Sequence, residues 1–351
     1  MTAPLIVTRD QLLLDEVLRL AAAAGATPEV ATDVGGALRA WARAPVVLVG
    51  VDLAEDLATL SPARRRDAWL LSWGAVTDAV FRTAVALGVE GVVQLQRSEG
   101  WLVELLTDLG DRGGGAIEGL LVGVTGGSGG AGATTLACAL GQEAARRGTA
   151  VVVDADPLGP GLDRILGLDD TEGARWDTLC GTTGRLSSRA LREALPRRES
   201  LGVLTWHPGE PATLQAFAVR EVLAAARRGH DVVVVDLPRR PDPLVDEVAA
   251  RCDRLLVVVV PTVAGVASAV RTCARHHDPT RVRLVVRGDG IDARAVSRAA
   301  GAPVLAQMSE QRGLAEAIDL GFGPVRSRRS ALGRAAAEVL DHLWMMRGVA
   351  A

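Results

Sequence analysis

The chain has 351 residues, 48% of them hydrophobic and 23% charged, with a formal net charge of −3. That is a globular composition, long enough for about two domains that each bury a core. The negative balance argues against a strongly basic nucleic-acid binder and leaves only local patches to weigh.

All 39 basic residues are Arg, and Lys, Asn and Tyr are absent. Those three types have AT-rich codons, so their absence reads first as a GC-rich genome rather than as chemistry. Cys138, Cys180, Cys252 and Cys273 are scattered, form no CxxC pair and read as reduced thiols of a cytosolic protein. The histidines lack metal spacing, and adjacent His276 and His277 would diverge by about 100° on a helix. No apolar run reaches the roughly 18 residues of a membrane span, and no basic segment precedes a hydrophobic stretch at the N-terminus. A cytoplasmic location is the expectation.

The first predicted element is a strand, Leu5 to Thr8. A helix over Gln11 to Ala24 follows, with Leu12, Leu13, Val17, Leu20 and Ala24 near helical spacing and Gly25 as its stop. Val46 to Val49 is an unbroken apolar run, as in a strand covered on both faces. A strand Ala68 to Trp73, a helix Asp78 to Leu87, a strand Gly91 to Leu95 and a helix Glu99 to Leu109 complete the first half. Strands alternating with helices predict a flavodoxin-like doubly wound sheet over residues 1–110. Trp41, Trp69, Trp73 and Trp101 are expected in its core, with a contact surface as the other reading for one of them. Gly110-Asp111-Arg112-Gly113-Gly114-Gly115 has few side chains to pack and predicts a linker over 111–119.

The first half resembles a response-regulator receiver domain in architecture, without the receiver's chemistry. The phosphoacceptor Asp of a receiver falls at Gly50 here, with Asp52 two residues beyond. Of the acidic pair after the first strand only Asp10 is present, and Gln96-Arg97 stand where a receiver has Lys. A pseudo-receiver that makes protein contacts is preferred to phosphorylation of Asp52.

Residues 120–351 show a second alternation. Strands are predicted at Leu120–Thr125, Ala150–Asp154, Leu201–Thr205, Asp231–Asp236, Arg254–Val260, Val282–Val286 and Val304–Leu305. Most are short Val/Leu runs, as in parallel strands with helices on both faces. The overall expectation is therefore α/β: a receiver-like domain, then a mostly parallel, doubly wound P-loop NTPase domain. Residues 169–196 are polar and hard to place, with a lid or a partner surface as the readings open for them.

The first of these strands runs into Gly126-Gly127-Ser128-Gly129-Gly130-Ala131-Gly132-Ala133-Thr134-Thr135, and a helix is expected from Leu136 to Arg147. The frame Gly127-x-x-x-x-Gly132-x-Thr134 matches GxxxxGK[ST] at every position except Lys. Glycines let successive N–H groups converge on phosphate oxygens, and the helix start adds partial positive charge. Thr134 offers a hydroxyl for Mg²⁺. Asp154, Asp156 and Asp236 stand at strand ends, where carboxylates can hold a metal-bound water.

That order of motifs resembles the MinD/ParA family of deviant P-loop ATPases, from about Leu120 to Leu343. With the receiver-like half in front, the layout is similar to CpaE/TadZ-type pilus-localisation proteins and, in the wording of the loop, to the actinobacterial septum-site-determining branch. The resemblance implies that Gly127, Ser128, Gly129, Gly130, Ala131, Gly132, Ala133, Thr134 and Thr135 hold the phosphates of ATP or ADP. It implies Mg²⁺ at Thr134, Asp154 and Asp236, and a water positioned by Asp156. Arg287 falls where the family places a base-reading Asn. The family's P-loop Lys is Ala133 here, and its dimer-crossing Lys is Ser128. Loss of both positive groups implies weak or absent nucleotide binding and no fast hydrolysis.

The resemblance further implies division or pilus-assembly partners, a homodimer, and recruitment to septum or pole. In an alternative, an arginine such as Arg239, Arg240 or Arg287 replaces the lost charge in a slow ATPase. The clusters Arg64-Arg65-Arg66 and Arg326-Ser327-Arg328-Arg329 raise a DNA-binding alternative, but a solvated basic face is preferred. The amphipathic stretch Ala331 to Met346 is read as a docked helix rather than a membrane anchor, because its polar face mixes both charges.

Overall fold

A computed structural model describes residues 3–65, 67–111, 118–181, 185–207, 209, 213–276 and 278–350. The chain divides into two compact units, Met1–Ile117 and Glu118–Ala351. Residues 112–117 of the expected linker, Arg66 and His277 lie outside the described residues.

The first unit runs β1 Leu5–Val7, α1 Gln11–Ala23, β2 Glu29–Ala31, α2 Val34–Trp41, β3 Val47–Gly50, α3 Val51–Thr59, β4 Ala68–Ser72, α4 Asp78–Leu87, β5 Gly91–Gln94 and α5 Glu99–Asp111. Its sheet is parallel with order β2-β1-β3-β4-β5, the doubly wound flavodoxin-like order. β2 had no counterpart in the sequence pattern because it is a three-residue strand with Glu29 and Val30 exposed.

Asp52 is held structurally. Its carboxylate accepts the Thr8 hydroxyl at 2.7 Å and the Arg9 N–H at 2.6 Å. A Cβ on Gly50 would stand 2.3 Å from Asp52 Oδ1, so Asp52 fills the space beside the receiver's phosphoacceptor position. Asp10 caps α1 through the N–H groups of Leu12 and Leu13. Trp41 is buried, with its indole N–H on the Ala63 carbonyl, and Trp69 and Trp101 meet edge to face at 4.9 Å. Trp73 corrects the core expectation: it follows the end of β4 and is 37% exposed.

The second unit runs β6 Leu120–Gly126, α6 Ala133–Ala145, β7 Ala150–Asp154, α7 Leu162–Leu166, α8 Trp176–Leu179, α9 Ser188–Ala194, β8 Arg197–Arg198, β9 Leu201–Leu204, α10 Ala216–Gly229, β10 Val232–Asp236, α11 Pro243–Arg251, β11 Arg254–Val259, α12 Val263–Ala274, β12 Val282–Arg287, α13 Ala293–Ala300, β13 Val304–Met308, α14 Leu314–Asp319 and α15 Ala331–Ala350. Strand order is β13-β12-β11-β6-β10-β7-β9-β8, parallel except for the β8–β9 pair. The hard-to-place segment 169–196 holds α8 and α9, both too short for a helical period to show.

Sequence-distant β10 and β11 flank β6 on either side. Such switch points put ligands at the carboxyl ends of the strands. Apolar side chains of β6, β7 and β10 alternate between two buried clusters, one under α6 and α15, the other under α10 and α11.

The terminal helix α15 is docked. Leu332, Ala335, Ala336, Val339, Leu340 and Leu343 are buried against the core beside α6. No helix among the described residues is long and apolar enough to cross a membrane. Glu143 on α6 is fully buried and paired with Arg146 at 3.1 Å, Arg147 at 3.1 Å and Arg328 at 2.9 Å. Arg147 also stacks over Trp344 and pairs with Asp341. Two basic clusters are therefore partly structural: Arg328 serves Glu143, Arg326 stacks over Phe322 at 4.8 Å, and Arg65 donates to the carbonyls of Trp41, Ala44 and Pro45.

Removing Glu143 costs its charge-assisted hydrogen bonds, while its arginine partners can still reach water. Glu143→Ala is expected to destabilise the second unit by about 1.5–3 kcal/mol. Chemical denaturation followed by tryptophan fluorescence checks this; a loss below about 1 kcal/mol would show that the cluster holds little.

Candidate nucleotide site

β6 leads straight into the glycine loop. The loop turns back through Gly130 at φ +70° and Gly132 at φ +93°, conformations that only glycine adopts freely. Gly132 is also the N-cap, so α6 starts at Ala133. The helix therefore begins three residues earlier than expected from Leu136, and Thr134 and Thr135 lie in its first turn. β-Branched residues are weak helix formers, which hid the start in the sequence. Gly127 has a packing role: its N–H is spent on the Val258 carbonyl at 2.8 Å, and a Cβ there would stand 2.7 Å from that of Ala269. Gly129 and Gly130 face open space. Among the described residues no acceptor is found for the amides of Gly129, Gly130 and Gly132.

Asp154 and Asp236 are register partners on adjacent parallel strands, which places them about 5 Å apart. Both are buried. Burial pushes Asp236 up to about 7, helped by neighbouring Asp154 and Asp156 and opposed by a hydrogen bond from the Thr134 hydroxyl. Burial likewise pushes Asp154 up to about 6, opposed by hydrogen bonds from Thr205 and the Asp156 N–H. No arginine pairs with either carboxylate among the described residues. Asp156 is half-buried and accepts the Leu158 N–H at 3.1 Å.

Three supporting contacts had no signature in the sequence. The Thr205 hydroxyl donates to Asp154 at 2.7 Å and accepts the Leu162 N–H at 3.3 Å. The Trp176 indole N–H donates to the Asp154 carbonyl at 2.7 Å. Asp163 and Arg175 form a buried pair at 3.0 Å in the segment between them. Each joins residues far apart in the chain, and only the hydroxyl at the end of the β9 run, Thr205, offered a local cue.

Arg287 ends β12 and its Nη1 donates to the Gly130 carbonyl at 3.0 Å. Arg239 and Arg240 are exposed in the turn beyond β10. The structure thus gathers Thr134, Asp154, Asp156, Asp236 and the loop at the carboxyl ends of the central strands, with Arg287 on the loop.

Two adjacent buried carboxylates, a hydroxyl and no internal cation are a donor set suited to Mg²⁺. The open glycine cradle at a helix start suits a phosphate. Ser128 and Ala133 are neutral, so the fit lacks both lysine charges.

The second unit has a fold similar to that of MinD/ParA-type proteins, and in the chain it follows a receiver-like unit. A family model described as "Rv3660c-like, CheY-like N-terminal domain" matches residues 7–116. The uncharacterized protein Rv3660c of Mycobacterium tuberculosis (strain ATCC 25618 / H37Rv) is 36% identical over 344 residues, covering 94% of this chain and 95% of that one. The chain belongs to the Rv3660c-like family. Among solved structures it is similar in fold to a ParA family ATPase from Chlorobium tepidum TLS, at 18% identity and a TM-score of 0.57, covering 64% of this chain and 99% of that one. MinD of Aquifex aeolicus in a MinC:MinD complex gives 21% and 0.54, with 64% and 96% covered. The MinD of Pyrococcus horikoshii OT3 complexed with Mg-ADP gives 18% and 0.52, with 66% and 98% covered.

An acid whose native pKa is raised adds stability that is full below about pH 4 and is lost as pH rises through the native value. Without metal, Asp236→Asn is expected to be more stable than the unaltered chain at pH 8, by a few kcal/mol. The gap should close toward pH 4. Melting temperatures at both pH values in chelator check this, and a gap independent of pH would overturn it.

Proposed function

We propose that the protein is a spatial regulator with a degenerate nucleotide site, of the septum-site-determining or CpaE-like kind. It acts in cell division or Tad/Flp pilus localisation through contacts with division or pilus-assembly proteins, as a homodimer, from the cytoplasm and at septum or pole. The observation that carries this reading is the loop: its backbone keeps a phosphate cradle, while Ser128 and Ala133 leave both lysine positions neutral. Phosphoryl transfer depends on positioned positive charge, and losing one such group typically costs 10²–10³ in rate.

ATP or ADP would lie on Gly129, Gly130, Ala131, Gly132, Ala133, Thr134 and Thr135. Mg²⁺ would be held by Thr134 and, through water, by Asp154 and Asp236; when bound it neutralises phosphate charge. The chain's own contribution is orientation: Thr205 and Trp176 fix the Asp154 segment, and Thr134 fixes Asp236. The receiver-like half serves as a contact module, since Asp52 is tied to Thr8 and Arg9.

A second reading, a slow ATPase using an arginine for the missing lysine, is favoured by the contact of Arg287 with the loop. DNA binding gains no such support.

ATP and ADP affinity and hydrolysis, with and without Mg²⁺, test the proposal. The unaltered chain is expected to bind weakly and turn over at least ~10²-fold more slowly than Ala133→Lys. Turnover by the unaltered chain equal to that of Ala133→Lys, and abolished by Asp236→Ala, would overturn the degenerate reading.

A further inference from the structure

The loop has no lysine, yet one cation lies on it. Arg287 Nη1 donates to the Gly130 carbonyl at 3.0 Å. The same atom is 3.2 Å from where a Cβ on Gly132 would stand, and Cδ is 3.5 Å from it. Glycine at 132 therefore both supplies the left-handed turn and admits the guanidinium. Arg287 is half-exposed, and no carboxylate pairs with it among the described residues. A guanidinium carries five N–H donors in a fixed fork, and only one is engaged here. The titratable groups gathered at the site are otherwise acids: Asp154, Asp156 and Asp236. A polyphosphate entering that field is repelled unless a cation, fixed or bound, faces it.

We infer that Arg287 is the phosphate-binding cation of this site, supplied from the end of β12 within the same chain. It takes over the charge that Ala133 lacks, and its ligand is a di- or triphosphate ester. One N–H stays on the Gly130 carbonyl and the remaining donors face phosphate oxygens, where a planar fork binds two at once. This differs from the base-reading role that the resemblance implies for position 287. It also differs from a charge crossing a dimer interface, because the contact is made inside one chain. The inference rests on the reading that the loop holds a nucleotide.

Calorimetric titration of the full chain with ADP and with pyrophosphate, both in chelator, tests it. Arg287→Gln is expected to weaken both ligands by a similar factor, roughly 10- to 100-fold, and Arg287→Lys by less. Adding Ala133→Lys to Arg287→Gln is expected to recover most of the loss. Undiminished binding by Arg287→Gln would overturn the inference. So would a loss confined to ADP, which marks a base contact. If the unaltered chain bound neither ligand, the nucleotide reading would fall, and the role of Arg287 with it.

Discussion

Two carboxylates held side by side in the interior are the constraint around which the second unit is arranged. Asp154 and Asp236 end adjacent strands in register, beneath a loop with no lysine. Parallel pairing leaves them no way to diverge, and burial raises both acids. The surroundings answer with hydrogen bonds rather than with charge. Thr205 and the Asp156 amide serve one carboxylate and Thr134 the other. The Leu162 N–H in turn fixes the Thr205 hydroxyl. Two acids so placed resist carrying two negative charges, a cost that a proton or a bound cation relieves.

The backbone of the loop and its side chains point in different directions functionally. Gly130 and Gly132 take left-handed conformations, Gly127 lets β11 approach, and Gly129 leaves space open. These features depend on missing side chains, and they persist although the lysines do not. A cradle without its charges suits holding a ligand better than transforming one. The amides are worth something to a ground-state phosphate, whereas rapid transfer needs extra charge at the developing transition state.

Much of this was legible in the sequence, and the reason is physical. Parallel strands covered on both faces read as unbroken Val/Leu runs, so Val232 to Asp236 and Ala150 to Asp154 stand out. Glycines in a forced turn and carboxylates at strand ends are local signals as well. Elements without a local signal were lost: β2 is short and exposed, and α8 and α9 span too few turns to show a period. Long-range partners were invisible. Nothing near Trp176 in sequence announces the Asp154 carbonyl, and nothing in Arg326-Ser327-Arg328-Arg329 announces that Arg328 reaches buried Glu143. Trp73 misled because hydrophobic size predicts burial only on average.

The absence of lysine has two meanings in one chain. At the surface, arginine replaces it charge for charge, as composition alone would require. Ser128 and Ala133, where the resemblance to MinD/ParA proteins places lysines, are small neutral residues, and a codon bias that spares arginine gives no reason for that. Arginine at 133 would moreover begin a helix whose first turn already binds Asp236 through Thr134. An arginine at 287 reaches the loop from a different strand, against a glycine at 132 that leaves it room. On the inference drawn for Arg287, the positive charge near the cradle comes from β12 rather than from the loop. It now sits on a rigid strand end, where it can hold an anion in place.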